Sequence, residues 1–180
     1  MGSKIPLENW SIRKKEALWQ KITLKVESFP GKKIDKGIKQ TIIALMAHKI
    51  PTTGSCEGHI DKKAGVFLPS IEIFIAKPKI PQGEPLKHYT EKVLQVQSTL
   101  MELLDQFYHK RQILFEARLT PAFYRNNEWG VFYLESFGRR LAGVLTEEEQ
   151  RQKLLLYRRE LQAFGKFLKR RFFTQNTSIP

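Results

Sequence analysis

A chain of 180 residues with 41% hydrophobic content and twelve Phe can build one buried core, which excludes a disordered chain or a disulfide-stapled miniprotein. One cysteine excludes an intrachain disulfide, and no apolar run approaches the ~20 residues that cross a bilayer. Thirty-one Lys and Arg against 18 acids give a net charge of +13, with 15 basic and 8 acidic groups in residues 1–85 and 16 and 10 in residues 86–180. A field of that sign, spread along the chain, attracts nucleic acid, nucleotides or other polyanions, and it also serves solubility. With no apolar leader in Met1–Pro6, the expectation is a cytoplasmic protein without a membrane partner.

Residues 8–28 read as a helix from the spacing of Trp10, Leu18, Ile22 and Val26, ended by Pro30-Gly31. Asp35 is the expected N-cap of a second helix, 36–49, with Ile38, Ile42 and Leu45 as its apolar stripe. A short strand through Thr53–Cys56 then leads into a loop over 57–69. Ser70–Ala76 alternates as a strand, with Ile71, Ile73 and Ile75 on one side. Three Pro and one Gly in 77–85 mark a linker.

Residues 86–110 carry the clearest helical pattern: Leu86, Tyr89, Val93, Val96, Leu100, Leu103 and Phe107 at 3-4 spacing. Two strands are expected at 112–124 and 129–138, turned at Arg125-Asn126-Asn127-Glu128. On them Arg118 lies between Glu116 and Glu135 as a cross-strand ion pair, and Trp129, Tyr133 and Phe137 share a core-facing side. Thr146-Glu147-Glu148-Glu149 is a capping box opening a helix over 147–172, with Leu154, Tyr157, Leu161, Phe164 and Leu168 as its buried stripe. The order α-α-β-β-α-β-β-α implies a single α+β domain over 1–180, a small, mostly antiparallel sheet packed by long helices.

Cys56, Glu57 and His59 form the candidate catalytic group, flanked by Ser55 and bracketed by Gly54 and Gly58. A thiol with an imidazole three residues on can serve nucleophilic or proton-transfer chemistry. Cys56-x2-His59 is also half of a zinc spacing, which His48, His88, His109 or a carboxylate would have to complete. Backbone N–H groups at Ser55 and Gly58, with Arg118, would instead cradle an anion. The plain alternative is a tight turn around a small buried thiol. On the last helix, Arg159, Lys166 and Arg170 share one face, flanked by Arg151, Arg158 and Lys169, and Lys169-Arg170-Arg171 sits at the negative helix end. These cations suit phosphate contacts or a solvated face. Leu155, Leu156 and Phe167 lie off the buried stripe and Phe172-Phe173 follow, which suggests a homodimer through this helix.

Pro51-Thr-Thr-Gly-Ser-Cys-Glu-Gly-His59, preceded by Lys36–Leu45 and followed by Pro69-Ser-Ile-Glu-Ile73, resembles a family of uncharacterised bacterial proteins in which a helix leads into a Ser-Cys-Glu-Gly-His turn and then a strand. The likeness spans residues 35–75 and implies no activity. The turn is also similar to the Thr-Thr-Ser-Ser-Cys-Ser-Gly-Arg segment of the third-step wybutosine-synthesis proteins, which modify tRNA. Gly54, Glu57 and His59 depart from it at the polar positions, so only a Cys-x-Gly turn beside an RNA-sized anion is implied. The Gly-rich nucleotide fingerprint, the Walker loop, His-Glu-x-x-His and the serine-hydrolase elbow are absent from the sequence.

Overall fold

The computed structural model describes residues 10–29, 34–61, 63, 65–76, 87–123 and 130–174. The first helix, α1, is Ile12–Glu27, opened by Ser11, whose hydroxyl accepts from the Lys14 N–H. Ile22 and Val26 face inward as the spacing requires. Lys15 is buried with them, at 1% exposed, and burial lowers its pKa. Helix α2 is Lys36–Ala47, with Asp35 at the N-cap position.

Strand β1 is Thr52–Cys56. The segment read as one long loop contains a hairpin, β2 His59–Asp61 and β3 Gly65–Phe67. Strand β4 is Ser70–Phe74. Helix α3 is Lys87–Tyr108, and the stripe from Tyr89 to Phe107 is buried throughout. Leu86, the linker 77–85, the turn 125–128 and Trp129 lie outside the described residues.

The last two strands are shorter than expected: β5 is Leu119–Ala122 and β6 is Val131–Ser136. Phe115–Ala117 and Phe137–Val144 wind into 3-10 turns on either side. Helix α4 is Glu147–Thr174, and the capping box forms as the sequence requires. The Glu149 N–H donates to Thr146 Oγ1 at 3.3 Å while Glu149 Oε2 accepts from the Thr146 N–H at 2.7 Å.

The main sheet is antiparallel with the order β1-β4-β6-β5, and the fold is α+β with the expected element order plus the extra hairpin. Ile71 and Ile73 of β4 and Phe132 and Leu134 of β6 are fully buried on the face toward the helices. On the other face Thr53 and Tyr133 both donate to the Glu72 carboxylate, at 2.6 and 3.0 Å. Tyr133 therefore sits on this half-buried polar face, not in the core, because it is paired in register with Glu72.

Helix α2 packs along α4. Thr41 Oγ1 donates to the Leu161 carbonyl at 3.1 Å, and His48 Nε2 lies 3.0 Å from the Leu168 carbonyl. Of the off-stripe residues on α4, Phe172 is buried and Phe167 and Phe173 pack on the core, while Leu156 joins a small cluster with Leu68, Ala117, Leu154 and Tyr157. Leu155 stays exposed. Among the described residues no helix is long and apolar enough to cross a membrane.

Candidate functional site

The turn after β1 separates the three side chains that the sequence groups. Cys56 Sγ lies 3.5 Å from His59 Nδ1 and accepts from the Gly58 N–H at 3.3 Å. His59 is exposed, at the start of β2, and its ring stacks on Phe67 of β3 at 4.7 Å. Gly58 makes the bend possible. Its φ is +81°, and a Cβ there would come within 2.4 Å of Leu154 Cδ1 and 2.7 Å of the Phe67 carbonyl oxygen.

Glu57 points the other way. Its Oε2 accepts from the Gly37 N–H at 2.8 Å, in the first turn of α2. Asp35 makes no side-chain cap bond to its own helix; its Oδ2 accepts from the Glu57 N–H at 3.1 Å. The two acids thus exchange roles, and Glu57 satisfies a helix donor that Asp35 was expected to satisfy. Arg158 of α4 closes the arrangement: its Nε donates to the Glu57 carbonyl at 2.7 Å, its terminal N–H to the Gly58 carbonyl, and it lies 4.0 Å from Glu57 Oε1. The crevice left between Gly37, Glu57 and Arg158 is about 10 Å³, at the limit of one water. Glu57 is a helix cap in this arrangement, and the Cys-Glu-His triad does not assemble.

The remaining predicted residues spread apart. Ser55 lines a cavity beside α1 and α2 that Cys56 does not line. Arg118 precedes β5, at the opposite sheet edge from β1, with its guanidinium 4.7 Å from the Tyr108 ring centre. The cross-strand ion pair does not form, because the chain enters a 3-10 turn at Phe115. Glu116 pairs with Lys153 and Glu135 with Arg139 instead. His88 pairs with Glu91 at the start of α3. Among the described residues no group of three or more His, Cys, Asp or Glu could hold a metal ion.

The cations of α4 divide by helix face. Arg158 holds the turn, and Lys169 sits 5.4 Å over the Trp19 ring of α1. Arg171 lies near the half-buried His48 and helps lower its pKa, after the larger effect of partial burial. Arg159, Lys166 and Arg170 are exposed on the face that 100° per residue predicts.

Ala163, Lys166, Phe167 and Arg170, along successive turns of α4, form one wall of a cavity of about 570 Å³. The other wall is the end of α3: Gln106, Phe107, His109, Lys110 and Arg111. Arg111 is held in place twice. It pairs at 2.8 Å with Glu160, whose side chain is 4% exposed, and its guanidinium lies 4.3 Å from the Phe107 ring centre. Phe107 and Phe167 meet at 5.4 Å, giving the groove an aromatic floor. The sequence did contain the signal for this second wall, the run His109-Lys110-Arg111 directly after the strongest helix, but nothing in it says that the run meets α4. Comparison with protein-family models, with curated proteins and with solved structures returned no match.

Proposed function

We propose that the protein binds a polyanion, single-stranded nucleic acid above all, along the groove between the end of α3 and the Arg159–Lys166–Arg170 face of α4. The observation that carries this reading is the convergence of His109, Lys110, Arg111, Lys166 and Arg170 on one cavity with Phe107 and Phe167 in its lining. Cations that track a backbone beside aromatic rings are what sequence-tolerant single-strand binding requires. Arg111, oriented by Glu160 and Phe107, presents its remaining N–H donors with little conformational freedom left to lose. The likeness of the Cys56 turn to tRNA-modifying proteins makes RNA the first probe.

Fluorescence anisotropy with a labelled single-stranded RNA, titrated at several salt concentrations, tests the reading. Replacing Lys166 and Arg170 by Ala is expected to weaken binding about tenfold and to reduce the salt slope by ~1.4, at about 0.7 per lost phosphate contact. Lys169→Gln, which alters the cation stacked on Trp19, leaves both nearly unchanged. Equal loss in the two variants, or no binding at low salt, overturns the proposal.

The Cys56–His59 pair supports a second reading, a thiol-dependent activity at the turn, because a base lies within 3.5 Å of sulfur. Alkylation of Cys56 in the folded protein is then expected to slow several-fold in His59→Gln; an unchanged rate sinks this reading.

A further inference from the structure

On another part of the molecule, α1, α2 and the edge strand β1 enclose a cavity of about 600 Å³. Phe29, Ile34, Ile42, Met46 and Pro51 supply its apolar lining, a size and character suited to a small organic molecule. One polar atom in this setting is unexplained. Thr52 is 6% exposed, and its Oγ1 has no hydrogen-bond partner among the described residues. Thr52 pairs in register with Ile73, so its side chain lies on the helix-facing side of the sheet, where the cavity is. A buried hydroxyl left unpaired is costly, so a polar group that reaches it gains the hydrogen bond the fold leaves unmade. Among the described residues the lining contains a single charged residue, Lys25, which is exposed, and no acid.

We infer that this cavity binds an amphiphilic monocarboxylate, independently of the groove on α4. The apolar body lies against Phe29, Ile42 and Met46. The carboxylate faces Lys25 at the mouth, and a hydroxyl or carbonyl at the inner end meets Thr52 Oγ1. The pattern is that of a pocket mostly apolar, with a few placed polar groups that set orientation.

The experiment uses anilinonaphthalene sulfonate, an apolar anionic dye, in high salt to suppress binding to basic surface, and displaces it with decanoate, ω-hydroxydecanoate or decylammonium. Saturable dye binding is expected. Both acids should displace the dye at least about tenfold better than decylammonium, since the cation would face Lys25. Thr52→Val, which keeps the shape and removes the hydroxyl, is expected to cancel the advantage of ω-hydroxydecanoate over decanoate, about tenfold for one lost buried hydrogen bond, while raising the Tm of the ligand-free protein. Met46→Trp, which fills the cavity, should abolish dye binding. Dye binding indifferent to Met46→Trp, equal displacement by decylammonium, or an advantage of ω-hydroxydecanoate over decanoate that persists undiminished in Thr52→Val each overturn the inference. Displacement by an extended peptide but by neither acid would overturn it in favour of strand addition along β1.

Discussion

Glu57 stands between a cysteine and a histidine in sequence, yet its carboxylate ends on the first turn of α2 because an unsatisfied helix N–H is a stronger claim on it than solvent. Glu57→Ala is expected to destabilise the fold by about 1–2 kcal/mol, the usual loss for a helix N-cap, without changing the alkylation rate of Cys56. Thermal or urea unfolding and a thiol-labelling time course check the two halves separately. Gly58→Ala should cost more, since the new methyl meets both a left-handed backbone and Leu154.

His48 supplies a pH signature. Burial lowers its pKa below the usual 6.5, outweighing the Leu168 carbonyl that favours the charged ring. The unfolded chain therefore takes up the proton first on acidification. The stability that neutral His48 contributes is present above pH 6.5 and is lost as the pH falls from there toward the lower folded value. Urea midpoints measured through that window should decline, and His48→Gln should flatten that part of the profile. At this scale the sequence made residue types legible but not their directions. The turn at Cys56–His59 was visible, whereas its division into a thiol–imidazole side and a helix-capping side depends on Gly37 and Arg158, 20 and 101 residues from Glu57.

Helices were the legible elements because each has a long stripe that a 3.6-residue period exposes. The stripes of α3 and α4 and the box at Thr146–Glu149 all appear where periodicity and capping chemistry put them. Thr146→Ala is expected to cost about 0.5–2 kcal/mol, the range for losing an N-cap hydroxyl. Glu149 also has a lowered pKa, chiefly from its bonds to the Thr146 hydroxyl and N–H. The box therefore stabilises α4 above the ordinary carboxylate range and loses that effect as the pH drops through the lowered value, a loss that should be smaller in the Thr146→Ala protein, which keeps the N–H bond to Glu149 but not the hydroxyl.

Strands were less legible. β2 and β3 are three residues each and mostly exposed, so no alternation marks them. Around β5 the opposite error arose: Ile113, Leu114 and Phe115 look strand-like, but Leu114 and Phe115 are exposed and the chain coils into a 3-10 turn before pairing begins at Leu119. Apolar composition sets which residues prefer a sheet, and the available ladder partner decides which of them enter it.

Across the whole molecule, the +13 charge was plain from composition, while the meeting of Lys110, Arg111, Lys166 and Arg170 at one groove was not. The two walls are joined through Arg111 and Glu160, 49 residues apart, a pairing that no local pattern encodes. Arg111→Ala is expected to weaken RNA binding more than Lys110→Ala, because it also strands the buried Glu160 carboxylate. Anisotropy titrations of both variants, with unfolding curves alongside, separate lost affinity from lost stability.

Helix α4 reaches from the Cys56 turn, which it touches at Leu154 and Arg158, to the groove at Lys166 and Arg170. At 1.5 Å per residue these two places stand roughly 12–24 Å apart along the axis, and they are on different sides of it. The helix acts as a fixed spacer. A lone nucleotide seated between Lys166 and Arg170 is too short to touch sulfur, so any chemistry that couples the two locations calls for a polymer that can wrap partway around the rod.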